Sequence, residues 1–201
     1  MIAMGTGVFV DANVLFSRTL RDWLFLLRNQ GAGSMFTVYS SEDVIAETIY
    51  RIRRDRPTAS GDLITAIHDR ISAQLDCRVT EYAIPAHSPL ADEHDFHVHA
   101  AAVSCEAGIL LTADRGFLDL DQGLIDVLPY EVHSPDSFFV LVDESSPATV
   151  RAVTLVQLDY WFSRDGHGDL PARLRAAGCL EFAARVAVHI RDLGWIAPGN
   201  P

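Results

Sequence analysis

Four short acidic segments carry the residues that could do chemistry. They are Val8-Phe9-Val10-Asp11-Ala12-Asn13, Ser41-Glu42-Asp43-Val44-Ile45-Ala46-Glu47, Asp92-Glu93-His94-Asp95-Phe96-His97-Val98 and Leu110-Leu111-Thr112-Ala113-Asp114. Each sets a carboxylate at the end of an apolar run or on the first turns of a helical pattern, where a parallel α/β sheet keeps its reactive groups. Carboxylates gathered in one cleft repel one another unless a divalent cation neutralises them. Oxygen-only donors favour Mg²⁺ or Mn²⁺. The implied chemistry is metal-assisted hydrolysis of a phosphodiester, with RNA the favoured substrate.

Each segment also has a purely structural reading. Asp11 can ligate a cation, with Asn13 supporting it two residues on, or it can simply cap a helix. Glu47 falls on an amphipathic helix and can face inward. Glu42, at the start of that helix, suits the dipole and reads as the cap, although Glu42 remains an alternative second acid. Asp95 opens an alanine-rich helix, as a ligand or as its cap, with Asp92 on the loop before it. Asp114 follows a strand, and the Thr112 hydroxyl can bond a carboxylate or a phosphate. His97 and His99 lie two apart on a helix and diverge, so they do not form a metal pair on one face.

The elements that must position these residues alternate. Gly7 to Val10, Phe36 to Tyr39, Arg78 to Tyr82, Ile109 to Thr112 and Leu128 to Val132 read as short strands. Helical spacing runs from Val14 to Arg28, from Ser40 or Ser41 through Ile52, from Asp62 to Leu75 with Leu63, Ile64, Ile67, Ile71 and Leu75 inward, from Asp95 to about Ala107, and over Phe138 to Val142 after a Ser134-Pro135-Asp136 cap. A polar loop with proline spans Pro85 to His94. The alternation predicts a mostly parallel sheet covered on both faces. Beyond Ser145-Ser146-Pro147 only helices are expected, over Ala148 to Phe162 and Leu170 to Leu193 with a break at Gly178, joined by the turn-rich Ser163 to Gly168. The expected division is a nuclease-like domain over 1–144 and a C-terminal helical extension over 145–201.

Composition narrows the classes. Of the 201 residues, 49% are hydrophobic and 21% charged, ample for a core and too ordered a mixture for wholesale disorder. No apolar run approaches the ~18 residues of a membrane span, and the N-terminus lacks a secretory pattern. A cytoplasmic protein without membrane attachment is expected. Cys77, Cys105 and Cys179 are scattered and have no CxxC spacing, which disfavours a zinc site and suits a reducing compartment. The net charge of −11 opposes binding of nucleic acid, but Arg51, Arg53, Arg54 and Arg56 form a local basic cluster. The chain has no lysine, so all 16 of its Lys and Arg cations are arginine. That excludes a Walker-type phosphate loop and a Schiff-base lysine and counts against a phosphotransfer receiver. Asn13 breaks the D-x-D of a haloacid-type phosphatase.

Taken together, strand-Asp11-x-Asn13, Ser41-Glu42-(x)4-Glu47, Asp92-x-x-Asp95-x-His97-Val98-x-Ala100-Ala101-Ala102, and Leu111-Thr112-x-Asp114-x-x-Phe117 resemble the PIN domain, and within it the branch of VapC-type toxins of bacterial toxin–antitoxin pairs. The resemblance spans about residues 7 to 140 and includes Ser134-Pro135-Asp136-x-Phe138. The tail, with Pro147, Leu174 and Gly178 to Ala183, is loosely similar to the C-terminal extension of one PIN subgroup. It implies a PIN-like three-layer α/β/α fold and Mg²⁺- or Mn²⁺-dependent endoribonuclease activity. The metal-binding, catalytic quartet would be Asp11, Glu47, Asp95 and Asp114, supported by Asn13, Thr112 and Asp92. Where many relatives have Arg after the third acid, this chain has Phe96. Implied partners are an RNA substrate and an antitoxin protein that would bring Arg or Lys into the cleft. Homodimerisation through exposed apolar stripes is a further expectation. The alternative is a catalytically inactive PIN module that binds RNA or protein.

Overall fold

The apolar run that ends at Asp11 becomes the middle strand of a parallel sheet. The computed structural model describes residues 5–31, 35–84, 90, 92–166 and 168–194. The strands are β1 (Thr6–Val10), β2 (Phe36–Ser41), β3 (Cys77–Val79), β4 (Ile109–Leu111) and β5 (Glu131–His133). Their order is β3-β2-β1-β4-β5, and every neighbouring pair is parallel. Val8, Phe9 and Val10 are fully buried, as a strand covered on both faces requires. The chain builds outward from β1 through β2 to β3, then returns to the other side of β1 with β4. The order therefore reverses between β1 and β4, and the crevice beyond their carboxyl ends is where such sheets bind ligands.

The helices complete a three-layer α/β/α arrangement. They are α1 (Ala12–Phe16), α2 (Arg18–Gln30), α3 (Glu42–Asp55), α4 (Gly61–Ser72), α5 (Phe96–Ser104), α6 (Arg115–Leu118), α7 (Gln122–Ile125), α8 (Pro135–Ser145), α9 (Pro147–Asp165), α10 (Leu170–Ala176) and α11 (Leu180–Asp192), with a 3₁₀ turn over Glu93–Asp95 before α5. The helix expected from Val14 to Arg28 is two. Ser17 takes an extended conformation, and its side chain accepts from Leu20 N to restart the chain as α2. Ser41 caps α3 by accepting from Val44 N. Leu63, expected inward, is exposed on the first turn of α4, whereas Ile64 beside it is buried as expected. The last strand lies at Glu131–His133 rather than from Leu128. The loop expected over Pro85 to His94 lies outside the described residues at 85–89 and 91, as does position 167 of the Ser163 to Gly168 turn.

The C-terminal helices share the core of the sheet. Trp23 of α2 meets Phe182 of α11 edge to face, with centroids 5.0 Å apart. Phe36 of β2 meets Phe138 of α8 at 5.2 Å. All four rings are buried, and an aromatic pair adds about 0.5–1.5 kcal/mol beyond its burial. The first turn of α11 has no cap from Cys179. Asp136 of α8 supplies one instead, its carboxylate accepting from Glu181 N and Phe182 N at 3.1 and 2.8 Å. Among the described residues, no helix is long and apolar enough to cross a membrane.

Candidate active site

The parallel register sets Val10 beside Leu111, so the residues that follow emerge side by side at the reversal of strand order. Asp11 N donates to Leu111 O at 3.1 Å, extending the ladder by one bond. The Asp11 side chain is only 6% exposed. Its Oδ1 accepts from Ala12 N and so caps α1. Its Oδ2 accepts from Asn13 Nδ2 at 2.6 Å and from Thr112 Oγ1 at 2.7 Å. Cap and candidate ligand are thus the same carboxylate, the capping bond fixing one oxygen and the two side-chain donors the other.

Thr112 and Asn13 tie this strand end to the next. Asn13 Oδ1 accepts from Ala113 N at 2.8 Å, and Asn13 Nδ2 also reaches Thr112 Oγ1 at 3.1 Å. Thr112 Oγ1 accepts from Asp114 N at 2.9 Å. Asp114 Oδ1 accepts from Gly116 N at 2.8 Å, capping α6. Two carboxylates 103 positions apart in the sequence are therefore joined through one hydroxyl and one amide.

The other two acids arrive from helices. Asp95 precedes α5, but its side chain makes no capping bond. Asp92 caps the preceding 3₁₀ turn by accepting from His94 N. Glu47 faces the cavity from the second turn of α3, whereas Glu42 is half-buried and pairs with Arg78 at 2.7 Å. Asp11, Asn13, Glu47, Asp92, Asp95 and Asp114 all line one cavity of about 770 Å³, and Thr112 lies behind Asp11. His97 shares that cavity, 3.8 Å from Glu47. His99 is buried elsewhere against the Tyr130 hydroxyl at 2.7 Å, so the two histidines do diverge.

The charges in this cavity are mutually unfavourable. Burial pushes the Asp11 carboxyl above the ordinary range. Bonds from Thr112 and Ala12 N pull it back, and Glu47 and Asp114 add repulsion. Asp95 is raised to about 6, first by burial, then by Asp114, Asp92 and Asp11, against a small opposing effect of His97. A methyl group on Gly116 would sit 2.8 Å from Asp95 Oδ2 and 3.2 Å from Asp114 Oδ1, so only the missing side chain lets both carboxylates crowd that turn.

Compared with known proteins, the chain matches no family model, no curated protein and no solved structure.

The donor set suits a hard dication: all-oxygen, multiply charged and held at a glycine cradle. Among the described residues, no three His, Cys, Asp or Glu side chains are drawn together tightly enough to hold a metal ion. The cavity also holds a cation of the chain's own. Arg51 Nη2 lies 2.7 Å from Glu47 Oε1 and lines the same cavity. Sequence reasoning missed Arg51 as a site residue, although the Glu47–Arg51 spacing of four on a helix is a readable ion-pair signal. It also missed Gly116, whose signal is weaker, a glycine two residues past the fourth acid.

Proposed function

We propose that this chain is a Mg²⁺- or Mn²⁺-dependent endoribonuclease of the PIN type, acting as the toxin of a toxin–antitoxin pair. One observation carries the catalytic part. Carboxylates from four separate segments, Asp11, Glu47, Asp95 and Asp114, line a single cavity at the point where the strand order reverses. The residues that would hold the cation are these four. The chemistry a bound dication supplies is polarisation of phosphoryl oxygens and a lowered pKa for water.

The chain's own groups do the rest. Thr112 and Asn13 keep one Asp11 oxygen oriented by donating to it, and the Gly116 amide does the same for Asp114. Ionised Asp95 repels a phosphate approaching on its own, so an RNA strand is admitted only when the acids are neutralised. The antitoxin part rests on the resemblance, with support from Arg51, whose guanidinium pairs with one of the four acids, Glu47. A partner's arginine would compete with the metal in the same way.

The test is incubation of the purified protein with mixed RNA in Mg²⁺, Mn²⁺ or EDTA. Internal cleavage in the first two and none in EDTA is expected, with a loss of about a thousandfold in Asp11→Asn and Asp114→Asn. Equal cleavage by wild type and both variants refutes the assignment. A second reading, a PIN-type module that binds without turnover, draws on the Glu47–Arg51 pair. It predicts no Mg²⁺ uptake by calorimetry in wild type.

A further inference from the structure

The protein carries eleven excess negative charges, yet one of its grooves has the opposite sign. Between α2, α4 and α9, two adjoining hollows share Arg18, Arg21, Arg70 and Tyr160 in their walls. Arg56 and Arg164 complete one of them. Five arginines face two carboxylates there, Asp22 and Asp55. The guanidiniums feel one another: Arg21 is pushed below its ordinary pKa first by burial, with Arg18, Arg70 and Arg56 adding repulsion and Asp22 opposing. Arg21 also donates to Leu15 O at 2.6 Å, which anchors it. Arg18 lies over the Trp161 ring, 5.0 Å from its centroid, and donates to the hydroxyl of Tyr160, which is 40% exposed. A folded, strongly acidic protein that gathers like-charged arginines in one place tolerates a repulsion that an anion would relieve.

This groove runs into the carboxylate cavity. Along α3, Glu47 and Arg51 line the cavity, while Arg51, Arg54 and Asp55 line a small hollow with Phe16. Phe16 and Asp55 then line the arginine-rich hollow. From Glu47 to Asp55 the helix advances about 12 Å. α1 packs beside α3 over the same stretch, with Asp11 capping its start and Phe16 at its end. Hollows that each share wall residues with the next thus form a channel-like series from the acids to the arginines, and Phe16 and Tyr160 are partly exposed along it.

We propose that this channel is the path of single-stranded RNA. The arginines of α2, α3, α4 and α9 would hold the phosphate backbone outside the cavity, and the exposed rings would offer faces to unstacked bases. Arginine suits the task because its planar fork engages phosphate bidentately. The location of this anion site is independent of the nuclease reading, and its occupant rests on that reading. The acidic cavity repels an incoming strand, so a separate basic grip is what would concentrate RNA at an otherwise hostile surface.

The test is fluorescence anisotropy of a fluorescein-labelled, mixed-sequence single-stranded RNA in EDTA, where no cleavage occurs, across a range of KCl. Wild type is expected to bind with an affinity that falls steeply with salt. Arg56 and Arg70 are exposed, so Arg56→Ala/Arg70→Ala folds and should bind at least about tenfold more weakly, with a salt slope lower by about two. Arg78→Ala, which lies outside the channel, should match wild type. The proposal is overturned if the double variant binds as wild type does, or if an acidic polyglutamate peptide binds the groove and RNA does not. If arginine-dependent binding is seen but Mg²⁺ produces no cleavage, the channel stands and the nuclease reading falls. If wild type and double variant cleave and bind alike, the channel falls and the nuclease reading stands.

Discussion

Two regions of this molecule bury carboxylates, and they treat them in opposite ways. Between α8 and α11, Asp143 is buried but faces His189 Nε2 at 2.6 Å and Arg185 Nη1 at 3.4 Å. Arg185 also reaches Glu144 and Glu181 at 2.8 and 3.1 Å. Each of these three acids has a cation supplied by the chain. At the strand ends, Asp11, Asp95 and Asp114 have hydrogen bonds or one another. Arg51 pairs with Glu47, and His97 lies 3.8 Å from Glu47 and acts only weakly on Asp95. The first arrangement holds helices together. The second leaves a negative charge that the polypeptide does not balance.

That contrast can be broken by substitution. Asp143→Ala should lower the unfolding free energy by about 2 kcal/mol, because it leaves the buried His189 without its partner while Arg185 keeps Glu144 and Glu181. Urea denaturation would measure it, and a loss below about 1 kcal/mol would show that the pairing contributes no more than a surface bridge. Removing Asp95 from the strand-end cavity should not destabilise the fold in this way, because its side chain makes no capping bond. Gly116→Ala should leave stability nearly unchanged yet weaken Mg²⁺ binding about tenfold, as its methyl displaces Asp95 and Asp114. Unaltered calorimetric titration would count against the cradle.

The smallest effect is in pH. The Asp95 carboxyl titrates at about 6 in the fold against an ordinary 3.8. The folded state therefore holds its proton to higher pH than the unfolded chain does. The contribution to stability is full below about pH 4 and is lost as pH rises toward 6. For a half-buried group, after solvent screening, the loss is on the order of 1 kcal/mol. Melting in EDTA between pH 4 and 7 should show this decline in wild type and a shallower one in Asp95→Asn. Identical slopes would remove Asp95 from the repulsive set.

How much of this was legible beforehand follows from what each feature depends on. Asp11 and Thr112-x-Asp114 could be read because an apolar run that stops at a carboxylate is local information. The alternating pattern likewise announced the parallel sheet. The break at Ser17 was hidden, since Val14, Leu15 and Leu20 keep helical spacing across it. Leu63 misled because it was placed inward together with its neighbour Ile64, and only Ile64 meets the core. Glu47 could not be separated from Glu42 until Arg78, on β3, was seen to occupy the latter. The basic channel was the least legible. Its arginines come from four helices, and of the clustered Arg51 to Arg56 run, Arg53 is spent on Ala59 O and Arg54 lies over the Tyr50 ring.

The Thr112 hydroxyl is at once donor to Asp11 and acceptor from Asn13 and from Asp114 N. It therefore acts as a gauge between two strands that meet only through folding. Adding or deleting a single residue in β1 or β4 would turn one carboxylate to the opposite side of the sheet and strand that oxygen. Length changes in exposed loops leave this spacing intact, whereas any such change within β4 or in the step from Val10 to Asn13 breaks it.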